Sequence, residues 1–232
     1  MIFDSLSRKF QFKFKDRVAA ADILAESLKD RIKNKQEQQT AVVLGIPRAG
    51  VITADITAKK LFTIFFDIVV PRKLTLGYNK EQAIGAIMED GTLYINKQLI
   101  NDFQVSPDYL ETEKLEQIQE AKHRRALYCR KPIKDFNSFV KDKTVILVDD
   151  GAATGATIIA AARWIRKQRP KLLLLAVPVA PSQTVHLLRQ EADFAEVVAS
   201  PDNFNAVGEF YANFDPVADE DVIEVMKKRN LL

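Results

Sequence analysis

Val145-Ile146-Leu147-Val148-Asp149-Asp150-Gly151-Ala152-Ala153-Thr154-Gly155-Ala156-Thr157 is the stretch on which the reading of this chain turns. Four β-branched or leucine residues carry a strand to two adjacent carboxylates. A run of small residues with two threonines then opens a helix whose stripe is Ile158, Ala161, Ala162 and Ile165. Small residues let a ligand approach the backbone, and the unpaired N–H groups and positive dipole end of the helix favour an anion there. Thr154 and Thr157 add hydroxyl donors, while Asp149 and Asp150 accept hydrogen bonds from sugar hydroxyls or sit beside a Mg²⁺. A ligand with a hydroxylated ring and a phosphate, such as a ribose 5-phosphate, satisfies both halves of the loop. Two other readings compete: the metal-side strand of a P-loop nucleoside triphosphatase, and a turn that is small only because it packs tightly. The first requires a GxxxxGK[ST] loop, and none exists, since Gly50 is followed by Val51-Ile52.

The same strand, loop and helix order recurs on either side. Ala41-Val42-Val43-Leu44-Gly45 leads through Ile46-Pro47-Arg48-Ala49-Gly50 to a stripe of Val51, Ala54, Ala58 and Leu61. Leu172 to Val177 leads to a helix over Val185 to Ala192. Phe65 to Val70 and Glu196 to Ala199 supply two more strands, and Val18, Ala21, Ala25, Leu28 and Ile32 mark a helix over 16–34 that ends in the polar run Asn34 to Gln39. Apolar runs without alternation, separated by amphipathic helices, predict an α/β, doubly wound, mainly parallel five-stranded sheet with helices on both faces. Residues 83–140 break the rhythm. Asp90-Gly91 between Ala83–Glu89 and Thr92–Asn96 predicts a hairpin, and Ser106-Pro107 starts a charged helix running to about Arg130. We therefore expect one domain over 1–232, with a core of about 16–75 and 141–232 and an inserted hairpin-plus-helix hood of about 76–140.

Composition excludes several classes. With 47% hydrophobic and 28% charged residues the chain is neither disordered nor a disulfide scaffold, and its single cysteine, Cys129, allows no internal disulfide. A net charge of +3 implies no nucleic-acid partner. Met1 to Lys9 lacks an apolar run behind a charged head, and Leu172 to Ala180 is too short to span a bilayer, so a cytoplasmic location without membrane contact is expected.

Val145 to Thr157 resembles the signature of type I phosphoribosyltransferases, and Gly45 to Gly50 resembles that family's pyrophosphate loop in the expected upstream position. The resemblance implies phosphoribosyl pyrophosphate (PRPP) as substrate, Mg²⁺ as cofactor, and displacement of pyrophosphate from the ribose by a nitrogenous acceptor. It implies that Asp149 and Asp150 hold the ribose hydroxyls, with Asp150 reaching the metal through water. Gly151, Ala152, Ala153, Thr154, Gly155, Ala156 and Thr157 would bind the 5-phosphate, and Arg48, Ala49 and Gly50 the pyrophosphate. It also implies a non-proline cis peptide in the pyrophosphate loop. Pro71 to Lys80 contains Gly and three cations without periodicity and is read as a closing lid, with Arg72 and Lys73 as its working residues; an ordinary solvated loop is the alternative.

Ser200 to Gly208 resembles the segment by which hypoxanthine-guanine phosphoribosyltransferases stack an aromatic ring on the purine, which implies Phe204 as platform and Val179 at the acceptor's edge. Phe210, Tyr211 and Phe214 are read as core aromatics. Two departures argue against purine salvage: Pro178 stands where those enzymes place a lysine, and Ala153 where they place an acidic base. Neither His123 nor His186 is assigned to catalysis, and the basic run Lys122 to Lys131 is read as a solvated helix face, with an anion site or a homo-oligomer interface as alternatives. A regulatory module that senses PRPP or a nucleotide without transferring it is the rival to an enzyme.

Overall fold

A computed structural model describes residues 13–32, 34–129 and 135–231 of the chain. Met1 to Lys9, and Arg130 and Lys131 at the end of the basic run, lie outside the described residues. In chain order the elements are α1 (Arg17–Arg31), α2 (Lys35–Thr40), β1 (Val42–Gly45), α3 (Ala49–Lys60), β2 (Phe66–Ile68), β3 (Arg72–Leu76), β4 (Asn79–Ile87), β5 (Leu93–Ile95), α4 (Lys97–Asp102) and α5 (Pro107–Tyr128). They continue with α6 (Phe136–Val140), β6 (Thr144–Val148), α7 (Ala156–Lys167), β7 (Leu172–Val179), α8 (Ser182–Glu191), β8 (Phe194–Ala199) and α9 (Asp219–Lys228), with a 3₁₀ turn at Val207–Phe210 before the last helix.

The five apolar runs pair in parallel in the order β2-β1-β6-β7-β8. Both faces are covered, which is why the strands need no polar alternation. On one face Val43, Ile146 and Leu174 pack against Leu24 and Leu28 of α1, Val51 and Ala54 of α3, and Val222 and Met226 of α9. On the other, Val42, Leu44, Val145 and Leu173 meet Ile158, Ala162 and Ile165 of α7 and Leu188 of α8. Each fully buried leucine or isoleucine contributes about 1.5–3 kcal/mol. No helix among the described residues is long and apolar enough to cross a membrane.

A second, antiparallel sheet, β3-β4-β5, stands apart from the first and is backed by α5 through Leu110 and Ile118. Its β4–β5 turn uses Gly91 at φ +85°, and the Met88 amide donates to the Thr92 carbonyl at 2.7 Å, as the Asp90-Gly91 dipeptide predicts. Ser106 caps α5 by accepting from the Tyr109 amide, with Pro107 in the first turn.

Three local expectations are corrected. Pro71 to Lys80 is no aperiodic loop: Arg72 to Leu76 pair with β4 as a strand, whose register slips twice around Thr75, so its sequence carries no clean alternation. Asn34 to Gln39 do not merely end α1; the Asn34 side chain accepts from the Gln36 and Glu37 amides and starts the short α2. Ala21, Ala25, Leu28 and Ile32 of the expected α1 stripe are buried, together with Ala20 and Leu24, but Val18 is 52% exposed and does not belong to it. Val18 lines a surface groove with Ile52 and Val217 instead.

Candidate active site

In an open parallel sheet, ligands bind outside the carboxyl ends of the strands where the strand order reverses. Here β1 is followed in sequence by β2 on one side and paired with β6 on the other, so the reversal falls between β1 and β6. The loop after β1 is Ile46 to Arg48 and the loop after β6 is Asp149 to Gly155, so the sheet itself brings two segments a hundred residues apart in sequence to one crevice. They are joined directly: the Ile46 amide donates to the Val148 carbonyl at 3.1 Å. Gly50 in the first turn of α3 sits so close to the acid pair that a Cβ there would lie 2.5 Å from Asp149 Oδ1 and 2.8 Å from Asp149 Cα. The peptide between Pro47 and Arg48 is cis.

The helices that open on this crevice, α3 and α7, begin at Arg48 and Gly155, and neither residue supplies a side-chain cap. By contrast, α1, α2, α4, α5 and α6 are capped by Asp16, Asn34, Asn96, Ser106 and Asp135. Amides at an uncapped helix start remain for a ligand. Within the loop the Ala152 amide donates to the Val179 carbonyl at 2.9 Å and the Ala156 amide to Thr154 Oγ1 at 3.4 Å. Those of Ala153, Thr154 and Gly155 have no protein acceptor among the described residues. Gly155 takes the left-handed conformation, φ +73°, that turns the chain into α7. Gly151 is required by proximity, since a Cβ would meet Val207 Cγ1 at 2.4 Å and Val179 Cγ1 at 3.2 Å.

Asp149 and Asp150 lie side by side, the Asp150 amide donating to Asp149 Oδ1 at 2.9 Å. Burial pushes the Asp149 carboxyl well above its ordinary value, the neighbouring Asp150 charge adds to this, and the Lys73 ammonium offsets part of it. Burial also raises Asp150, against the opposing pull of Arg17. Arg17 Nε stands 2.9 Å from Asp150 Oδ2, with side-chain exposures of 11% and 13%. The same guanidinium donates through Nη1 to the Asp215 carbonyl at 2.6 Å and lies over the Phe214 ring at 3.9 Å. Tyr211 donates its hydroxyl to the Asp150 carbonyl at 2.5 Å.

The sequence of residues 13–215 matches the family model for the phosphoribosyl transferase domain. The chain belongs to the phosphoribosyl transferase family. Two curated relatives in Mycobacterium tuberculosis, "Putative phosphoribosyl transferase MT0597" of strain CDC 1551 and its counterpart Rv0571c of strain H37Rv, are 32% identical over 215 residues. Those alignments cover 93% of this chain and 46% of each relative, so the chain spans about half the length of the curated proteins it matches. The crystal structure of TT1426 from Thermus thermophilus superposes with a TM-score of 0.73 at 34% identity, covering 94% of this chain and 99% of that one. The α/β doubly wound fold expected from sequence is the fold of this phosphoribosyl transferase domain.

Within that family frame the remaining residues fall as follows. Arg48 is half-exposed at the start of α3, its Nη1 3.9 Å from Asp219 Oδ1. Arg72 and Lys73 are on β3, where Arg72 Nε donates to Gln117 Oε1 at 3.2 Å and Lys73 is exposed. Phe204 is half-buried and stacks on Phe210 at 5.0 Å between centroids. Phe210 and Tyr211 are core residues with Phe14, as read from sequence, whereas Phe214 is only half-buried and carries the Arg17 guanidinium. The Val179 side chain is fully buried beneath Gly151, in the floor of the loop. The basic run is also more than a solvated face, because Arg125 Nη2 pairs with the fully buried Asp67 at 2.8 Å.

Sequence reading missed Arg17 and Tyr211. Both lie far along the chain from Asp150, and nothing local to either distinguishes them from a helix-surface arginine and a core tyrosine.

Proposed function

We propose that the chain is a PRPP-dependent phosphoribosyltransferase that transfers ribose 5-phosphate to a small nitrogenous acceptor. The observation that carries this is the meeting, at the β1/β6 reversal, of the acid pair with its small-residue loop and the Pro47 to Gly50 loop, contacting through Gly50 and Asp149. Asp149 and Asp150 accept hydrogen bonds from the ribose 2- and 3-hydroxyls. The amides of Ala153, Thr154 and Gly155 and the hydroxyls of Thr154 and Thr157, within the Gly151 to Thr157 loop, receive the 5-phosphate. Arg48, with the amides of Ala49 and Gly50, takes the pyrophosphate, for which a planar and permanently charged fork is suited. Departure of pyrophosphate leaves an oxocarbenium-like ribose, so no covalent nucleophile is needed. The protein's work is orientation, leaving-group neutralisation and exclusion of water by the β3–β4 hairpin with Lys73. Phe204 stacks on the acceptor ring.

The residues fit Mg²⁺ brought in by the substrate. No group of three His, Cys, Asp or Glu side chains among the described residues makes a cage. A pair of adjacent carboxylates held above their ordinary range by burial nonetheless suits a cation whose other ligands are substrate oxygens and water. Asp150 would hold it, and the ion would supply neutralisation of the charge growing on pyrophosphate.

A second reading, a PRPP or nucleotide sensor, is favoured by Ala153, which offers no base, and by the Arg17 ion pair that already occupies one Asp150 oxygen. The test is pyrophosphate release from PRPP and Mg²⁺ with a panel of purines, pyrimidines and small amines. Release with one acceptor establishes the transferase, whereas tight PRPP binding without release with any of them establishes the sensor.

A further inference from the structure

A threonine hydroxyl inside a helix commonly donates to a carbonyl one turn back. Thr40, Thr57 and Thr112 do so, on the Gln36, Thr53 and Asp108 carbonyls at 2.9, 2.8 and 3.0 Å. Thr184, in the first turn of α8 and only 3% exposed, does not. Its Oγ1 donates out of the helix to the Ala153 carbonyl at 2.6 Å, 31 residues away in the small-residue loop. The methyl of the same side chain touches that loop too. A Cβ on Gly155 would lie 3.0 Å from Thr184 Cγ2, so the left-handed turn that leads into α7 rests on Thr184.

The bond to Ala153 has a directional consequence. The peptide between Ala153 and Thr154 is trans and planar, so its C=O and N–H point in opposite directions. Holding the Ala153 carbonyl on α8 therefore turns the Thr154 amide, the other half of the same plane, away from α8. That amide is one of the three in the loop with no protein acceptor among the described residues. The preceding residue is tied as well, because the Ala152 amide donates to the Val179 carbonyl at 2.9 Å. Successive residues of the loop are thus pinned from below by β7 and α8. Ala153 is exposed, so without the Thr184 hydroxyl its carbonyl can turn to water, and the peptide is free to rotate and present an oxygen where an anion belongs.

We propose that Thr184 is a positioning residue for the 5-phosphate: by donating to the Ala153 carbonyl it sets the peptide plane that aims the Thr154 amide at the ligand. The assignment rests on the PRPP reading of the loop. Thr184 touches no substrate and acts through the loop backbone. It makes α8, which carries none of the groups of the acid pair or the Arg48 loop, part of what preorganises the anion site.

Two variants separate the hydroxyl from the side chain's bulk. Thr184→Val keeps the buried shape and deletes the donor, whereas Thr184→Ser keeps the donor and deletes the methyl. Calorimetry on the full chain, with ribose 5-phosphate and magnesium pyrophosphate as separate probes, reads the two ends of the site. Thr184→Val should raise the ribose 5-phosphate Kd about 10-fold, the weight of one well-aimed hydrogen bond, and Thr184→Ser by no more than about threefold. Pyrophosphate affinity should stay within about twofold in both, since the Arg48 loop is not bonded to Thr184. Unchanged ribose 5-phosphate affinity in Thr184→Val, a serine variant as weak as the valine one, or equal loss of both probes overturns the proposal and leaves the PRPP reading standing. A measurement that needs no variant is ¹H–¹⁵N NMR of the unsubstituted chain, in which ribose 5-phosphate should move the Thr154 amide proton downfield as it takes up a charge-assisted bond. A Thr154 amide that does not respond while the ligand binds also overturns it. If the unsubstituted chain binds neither probe, the proposal and the PRPP reading fall together.

Discussion

Arg17→Met removes the cation that pairs with Asp150 while keeping an unbranched apolar stem to lie over Phe214. Deleting one partner of a fully buried ion pair costs about 3–5 kcal/mol. Side-chain exposures of 11% and 13% leave some solvation, and Arg17 also gives up its bond to the Asp215 carbonyl, so we expect about 3 kcal/mol. For a chain of this size that lowers the melting temperature by roughly 6–12 °C. The loss has a pH signature. Both acid-pair carboxyls titrate above their ordinary value in the fold, so their ionisation works against stability, which is greatest at low pH and falls as pH rises through the raised pKa values. Arg17 counters this for Asp150 only when Asp150 is ionised. The gap between wild type and Arg17→Met should therefore be full above the folded-state pKa of Asp150 and close as pH falls through it. Urea unfolding across pH, with Asp150→Asn as the second arm of a double-mutant cycle, measures it: in the Asp150→Asn background Arg17→Met should cost less than about 1 kcal/mol. If it costs the same there as in the wild type, the ion pair is not what Arg17 contributes and the reasoning is refuted.

Asp150→Asn combined with Thr154→Ala should weaken ribose 5-phosphate binding by about 2–4 kcal/mol without unfolding the chain, since a charge-assisted and a hydroxyl hydrogen bond are lost from a loop; calorimetry reads this directly. Gly50→Ala should reduce PRPP affinity at least tenfold, because the new methyl would stand 2.8 Å from the Asp149 backbone and force α3 and the acid pair apart; binding at the wild-type level would show that the two loops move independently. Arg48→Ala should lower kcat more than it weakens PRPP binding, as charge grows on pyrophosphate only when the bond breaks, and steady-state kinetics beside a direct binding measurement separate the two. Phe204→Ala should depress turnover of every aromatic acceptor by similar factors, on the order of 1–3 kcal/mol, because stacking is indifferent to ring substituents; loss confined to one acceptor in a panel assay counts against a stacking role.

The acid pair and its loop were legible because everything that makes them a site is contiguous: a buried strand, two carboxylates, small residues and a helix start are consecutive letters in Val145 to Thr157. The five parallel strands were legible for a similar reason, since burial on both faces writes an unbroken apolar run into each of them. The β3 strand was not, because its double register slip and half-exposed face erase the alternation by which strands are recognised. The burial of Val179 beneath Gly151 was not legible either, because a residue at the end of a strand beside a loop faces either outward or the floor, and only the closeness of Gly151 shows which.

Sequence by itself determined the chemistry of each segment: which loop offers amides and hydroxyls, which offers carboxylates, which offers a guanidinium. What tertiary structure alone decided is which of those groups meet. The pairing of β1 with β6 placed the Arg48 loop against Asp149 across a hundred residues, and the return of the C-terminal segment put Tyr211, Phe214 and Asp215 around Arg17 and Asp150. The packing of α5 on β3 set Gln117 against Arg72 and Glu113 against the Thr75 amide. The physical reason is that an ion pair depends on a separation of a few ångströms in space, which local propensity and periodicity do not encode, whereas the hydrophobic pattern that folds the chain depends on neighbours a few residues away.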